Sequence, residues 1–217
     1  MQFQMAVFLH HNDITVELFD DTAFTQTADS PTSYDKVIQE EKDKEFLPNS
    51  QHAIKVYKGE KLIKTAIVVA SGGGTGVQED TALIDEKSLI VRCCNKVFSL
   101  SLPDLNINWV TEPDWATCFS VHKYQDTYIT HGEISIARID KNGKVLWSYS
   151  GADIFVCLYK GTPFEMHDDF IELTDFNGSK YRIDYNGQTI NYELSDYYYQ
   201  QPVAVIMKPQ KPWWKFW

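Results

Sequence analysis

The chain has 217 residues, of which 43% are hydrophobic and 14% aromatic, and a formal charge of −10. That size suits one domain, or one domain with an appendage, and can bury a proper core. The acidic balance argues against nucleic acid as the main partner, because phosphate contacts need a basic face. No apolar run approaches the roughly 18 residues of a membrane helix, so no membrane span is expected.

The N-terminus, MQFQMAVFLHHND, lacks a basic region, and His10-His11 ends its short apolar run. It does not read as a secretory signal. A cytoplasmic protein is expected, with Cys93, Cys94, Cys118 and Cys157 as free thiols. Residues 2–9 and 14–19 are strand-like runs around a polar turn. Residues 20–33, rich in Asp, Thr and Ser, read as a loop. One short helix is predicted near residues 33–45, with Tyr34, Val37 and Ile38 on its apolar face and Pro48 beyond its end. Residues 52–57 and 61–70 then form a hairpin around Lys58-Gly59-Glu60.

Three units follow, and each ends in a similar hairpin. Residues 134–147 read ISIARIDKNGKVLW, with a turn at Asp140-Lys141-Asn142-Gly143. Residues 97–109 and 180–192 repeat the plan. Trp109 and Trp147 stand 38 positions apart, and Arg138-Ile139-Asp140 recurs 44 positions on as Arg182-Ile183-Asp184. Two further apolar runs precede each hairpin: 81–84 and 88–93, 117–121 and 127–130, 153–158 and 170–174. A period of about 40 residues with four strands suggests propeller blades. The expected fold is therefore all-β. It consists of propeller-like repeats of four-stranded antiparallel units, three in number, or four if the N-terminal strands form another. A β-sandwich is the alternative. Residues 1–207 make one domain, with recognisable repeats at 81–193, and residues 208–217 an aromatic tail. Residues 203–207 read as a last strand.

The hairpin at 134–147 resembles the blades of the quinoprotein, or PQQ-like, propeller superfamily. Those blades run from an apolar-Asp pair through a Gly turn to a closing Trp, and Ile139-Asp140, Gly143 and Trp147 match. Ile183-Asp184 and Gly187 match in the third unit, with Tyr192 taken as the closing aromatic. The first unit has Trp109, with Pro103-Asp104 in place of the Gly turn. This resemblance implies a fold more than an activity. The chain as a whole also looks like uncharacterised bacterial proteins of similar length, which implies no mechanism.

Four stretches could carry function. The loop Ser71-Gly72-Gly73-Gly74-Thr75-Gly76 could present backbone amides to a small ligand. Phosphate loops of that kind lead into a helix and bring a Lys; acids and a strand follow here, which favours a structural turn. His131 and Glu133, at a blade tip, could face a central pocket. The acids of residues 165–175 with His167 could serve acid–base chemistry, though a solvated turn explains them with less. The tail Pro212-Trp213-Trp214-Lys215-Phe216-Trp217 could dock a protein partner or fold back on its own domain. Quinoprotein alcohol dehydrogenases carry a vicinal disulfide beside their cofactor. Cys93-Cys94 lacks that context, and one buried and one half-buried thiol are expected. No metal-ligand spacing is present, so no cofactor or metal is expected. The leading expectation is a non-catalytic binding module. The alternatives are a hydrolase or diverged cofactor propeller using residues 165–175, and a small immunity or inhibitor protein whose charge suits a basic toxin.

Overall fold

A computed structural model describes residues 5–157 and 161–197. Seventeen strands in these residues form four sheets. The first contains β1 (Ala6–His11), β2 (Ile14–Asp20), β4 (Ser50–Lys58) and β5 (Lys61–Ala70), all antiparallel, with β3 (Lys36–Ile38) added in parallel at the β5 edge. The second is the meander β6 (Ala82–Asp85), β7 (Ser88–Cys93), β8 (Lys96–Ser101), β9 (Ile107–Thr111). The third is β10 (Cys118–Tyr124), β11 (Thr127–Gly132), β12 (Ile136–Asp140), β13 (Val145–Tyr149). The fourth is β14 (Phe164–Met166), β15 (Ile171–Thr174), β16 (Lys180–Ile183), β17 (Thr189–Glu193). The fold is all-β and propeller-like, and the N-terminal strands supply the fourth unit.

The sheets stack in chain order because their strands alternate between two buried faces. On β7, Leu89 and Val91 pack with Val16, Leu18, Ile54 and Val68 of the first sheet, while Ile90 joins Cys118, Val121 and Ile139 of the third. Ile129 and Ile136 then meet Ile171, Leu173 and Ile183 of the fourth. Two-sided burial suits the unbroken apolar run of β7 and the period-2 rule for each strand. No buried cluster among the described residues joins the fourth sheet back to the first. The outward face of the fourth sheet is polar, with Glu172 bonded to Arg182 at 2.9 Å. A polar sheet face of this kind suits contact with water.

The repeat has a reason beyond likeness of hairpins. Each sheet carries a bulge just before its last turn, at Val56/Tyr57, Ser99/Leu100, Arg138/Ile139 and Arg182/Ile183. The turns after Ile139 and Ile183 are built alike: Asp140 Oδ1 accepts from the Asn142 and Lys144 amides, and Asp184 Oδ1 from those of Asn186 and Gln188. The closing Trp of one sheet then docks on the next sheet's turn. Trp109 Nε1–H donates to Lys141 O at 2.8 Å, and Trp147 Nε1–H to Tyr185 O at 3.0 Å. Gly143 (φ +85°) and Gly187 (φ +78°) lie under these rings. A Cβ there would sit 2.7 Å from Trp109 and 2.6 Å from Trp147. Glycine serves both the left-handed turn and the docked indole.

Several expectations need correction. Tyr192 does not replace the closing Trp. It pairs with Tyr181, which faces the third sheet, and Asn191 pairs with Arg182 where Trp147 pairs with Arg138. The aromatic therefore lands on the other face, and the polar face begins at Asn191. The helix is confined to a 3-10 turn, Glu41–Glu45. Val37 and Ile38 are strand instead, pairing with Ile67 and Val68, because alternation leaves Ile38 buried and Val37 exposed. Residues 153–157 are not a strand. Phe155 instead inserts between the third and fourth sheets, its amide bonded to Glu133 O at 2.7 Å. Cys93 and Cys94 are both fully buried, because Cys94 takes φ +55° in the hairpin turn and breaks the alternation of faces. Residues 203–207 and the tail, with Trp213, Trp214, Phe216 and Trp217, lie outside the described residues.

Candidate functional site

The strands divide the connections between two ends. One end carries polar hairpin turns at Asn12-Asp13, Gly59-Glu60, Glu86-Lys87, Gln125-Asp126, Asn142-Gly143, Asp168-Asp169 and Asn186-Gly187, while the tight turn Cys94-Asn95 lies at the opposite end. The other carries the long connections between sheets. Phe46, Leu47, Trp115, Phe176 and Tyr197, the large exposed apolar side chains of the described connections, all stand at this loop end. Leu47 is 87% exposed and Trp115 73%.

The loop end is held together by bonds between successive sheets. The Cys118 amide donates to Cys94 O of the second sheet's turn, and that of Phe155, in the connection into the fourth sheet, to Glu133 O of the third. Asp114 is nearly fully buried. It accepts from the amides of Ala116, Thr117, Ile134 and Ser135. Gly132 leaves room for it, since a Cβ there would lie 2.3 Å from the Asp114 carboxylate. Gly132 thus permits close approach rather than making a turn.

The Gly-rich loop is a joint of this kind. Gly73 N–H donates to Ala116 O at 2.9 Å, and a Cβ on Gly73 would fall 1.7 Å from Thr117 Oγ1. Thr75 N–H donates to Ser50 Oγ, which donates back to Thr75 O, both at 2.7 Å. Gly72 O accepts from Asn49 Nδ2. Val77 N–H goes to Asp20, whose other oxygen meets His52 Nδ1 at 2.7 Å. Burial works to raise the Asp20 carboxyl, and the bonds from His52 and Val77 outweigh it, so its pKa is lowered. The amides of Gly73, Thr75 and Val77 are thus already paired within the protein; Gly74 packs beside Asn49.

A cavity of about 420 Å³ opens near the loop end, where the third and fourth sheets meet the connection into β6. Gln78 and Asp80 come from the connection into β6. Phe119, Ser120 and His122 come from β10 and His131 from β11. Phe155, Cys157 and Thr162 come from the connection into β14, and Phe164 from β14 itself. Phe164 stacks on both imidazoles, with ring centroids 5.2 Å from His122 and 5.1 Å from His131. His131 Nε2 lies 3.0 Å from Phe155 O. A carbonyl only accepts, so Nε2 carries the hydrogen and Nδ1 a lone pair. Burial disfavours the imidazolium, lowering His131 to about 4 and shifting His122 the same way. Both rings are neutral acceptors at pH 7. Behind Asp80 lies Arg92, 2% exposed, with Nη2 3.9 Å from the carboxylate and 3.0 Å from Gly76 O.

His131 and Glu133 therefore part company. His131 lines the cavity, and Glu133 is drawn aside by Thr117 Oγ1 at 2.9 Å. The acids of residues 165–175 do not converge. Asp168 and Asp169 sit at the turn end, Glu165 and Glu172 face outward, and Asp175 is buried against Ser179 and Tyr181. Among the described residues no three His, Cys, Asp or Glu side chains are placed to hold a metal. Sequence reading missed His122, Asp80 and Phe164. The diagonal placing of His122 and His131 across a hairpin was the available signal.

No protein-family model and no curated protein matches the chain. Among solved structures, the computationally designed Ika4 protein is 9% identical, with a TM-score of 0.50 over 85% of this chain and 93% of that one. The CNH domain of AfRom2 is 11% identical at a TM-score of 0.47, covering 88% of this chain and 54% of that one. BamB from Moraxella catarrhalis is 12% identical at 0.46, with 87% and 64% covered. The chain thus spans about half of the AfRom2 structure and under two-thirds of BamB. Likeness at this identity bears on fold alone, and no helix among the described residues is long and apolar enough to cross a membrane.

Proposed function

We propose that the protein is a non-catalytic binding module that takes its ligand or partner at the loop end, in the cavity around His122 and His131. The observation that carries this is the convergence of the third and fourth sheets and the connection into β6 on one 420 Å³ space with neutral imidazoles in its wall. That volume falls within the roughly 300–1,000 Å³ of small-ligand pockets. The exposed apolar side chains of the connections crowd the same end, as in the core of an interface. Rigid sheets carrying variable connections are the usual platform for recognition.

A thermal-shift screen of metabolites and short peptides against the full chain tests the reading. Thr162 is exposed and lines the cavity, so Thr162→Trp plugs it without disturbing the core. Ligands that stabilise the protein should lose that effect in Thr162→Trp. Ligands that stabilise both proteins equally would place binding elsewhere.

A further inference from the structure

We infer that the cavity accepts an arginine side chain from a basic segment of a partner protein. This rests on the binding reading above and deepens it.

The polar groups in the wall can all accept hydrogen bonds, and Gln78, Ser120 and Thr162 can also donate. His131 offers the Nδ1 lone pair once Nε2–H is committed to Phe155 O. Asp80 offers a part-exposed carboxylate, whose buried Oδ1 faces Arg92 Nη2 at 3.9 Å, so a ligand meets it at Oδ2. Gln78 and Ser120 can accept as well. The ring walls are Phe119 and Phe164, to which a guanidinium is drawn through its flat face. A guanidinium brings five N–H donors in a fixed fork, which matches several acceptors set around one space. A carboxylate ligand would meet Asp80 and imidazole lone pairs, and an apolar one would leave these acceptors unpaired.

The surroundings carry the same sign. Glu79 lies between lining residues, Glu133 stands two positions beyond His131, and Asp153 two before Phe155. Of the nearby cations among the described residues, Lys123 is paired with Asp85, while Arg92 is buried behind Asp80, 3.9 Å from Oδ1 and bonded through Nη2 to Gly76 O. The chain as a whole carries −10, which speeds encounter with a basic partner. In the cavity wall itself, Phe119, Phe155 and Phe164 supply apolar contact for the stem of an arginine.

The test is a titration of the full chain with histidine side chains labelled for NMR. The probes are N-acetyl-arginine amide, its neutral counterpart N-acetyl-citrulline amide, the lysine and glutamate amides, and a nine-residue peptide with a central arginine. The arginine probe and the peptide should move the His122 and His131 ring signals together. Citrulline should bind at least about tenfold more weakly, since a hydrogen bond involving a charged group contributes more than a neutral one. Asp80→Asn should weaken the arginine probe about tenfold, and added salt should weaken it further. Asp80 neighbours buried Arg92, so Glu79→Gln, on an exposed side chain, is the second variant, with an expected loss of about twofold. Equal binding of citrulline, preference for glutamate or lysine, or arginine binding without movement of the histidines would each overturn the assignment. A neutral or anionic probe seated at the histidines would leave the binding reading standing while refuting this one. Silence of both histidines to every probe refutes the arginine assignment, and with Thr162→Trp indifferent to all stabilising ligands the binding reading falls too.

Discussion

Replacing Gly143 by Ala perturbs the joint between the second and third sheets at a single atom. The glycine has φ +85°, where a side chain costs about 1 kcal/mol. Its new Cβ would lie 2.7 Å from Trp109 Cδ2 and 2.9 Å from Thr111 Oγ1. The indole cannot yield freely, because Nε1–H is bonded to Lys141 O in the same turn. Forcing it back adds an overpacking cost of about 1–3 kcal/mol. The sum, about 2–4 kcal/mol, should lower Tm by about 5–15 °C in a domain of this size. Gly59→Ala is the control: φ is +59°, with nothing within 4 Å of the new Cβ. It should cost only the backbone part, about 1 kcal/mol. Calorimetry and urea denaturation of both variants decide the matter. Equal losses would mean that Trp109 is not docked on the turn and that the repeat joint is wrong.

Three further outcomes follow. His131 titrates below its ordinary 6.5, at about 4, so the folded state favours the neutral ring. Stability is then fully present above about pH 6.5 and is lost as pH falls towards 4, by about 3 kcal/mol. Urea midpoints at several pH values should show a shallower acid loss in His131→Gln, and an unchanged slope would contradict the burial. Native thiol labelling read by mass spectrometry should mark half-buried Cys157 first, with Cys93, Cys94 and Cys118 reacting fully only on unfolding. The Cys94 thiol is lowered to about 7, chiefly by its bond with Cys93, so fast labelling there would show that burial does not protect it. Trp147→Phe removes the bond to Tyr185 O while keeping most of the apolar contact, so it should cost about 1 kcal/mol, and Trp147→Ala about 3–5. Urea denaturation would show the two variants equal if the indole N–H alone held the joint.

Most of the architecture was legible because hairpin chemistry is local. Asp140-Lys141-Asn142-Gly143 announces its turn in four residues, and alternation on either side gives the strands. The Gly143 and Trp147 pattern also carried the repeat, although its cause was hidden: each Trp docks on the following unit's glycine, not its own. Tyr192 misled because an aromatic near the right spacing was counted without its register, and one position changes the face. Val37 and Ile38 have apolar spacing that suits either a helix or a strand, and pairing with β5 decided it. The site was only partly legible. His131 was visible as a polar residue at a strand end. His122 and Phe164 belong to different sheets and Asp80 to the connection into β6, and nothing local brings them together.

The most direct measurement is a fragment screen read on the ring signals of His122 and His131 in the full chain. If the protein works through its loop-end cavity, the fragments that bind will move both histidines together, and Thr162→Trp will abolish those movements. Fragments that bind tightly while both rings stay silent, in the wild type and in Thr162→Trp alike, would contradict the account.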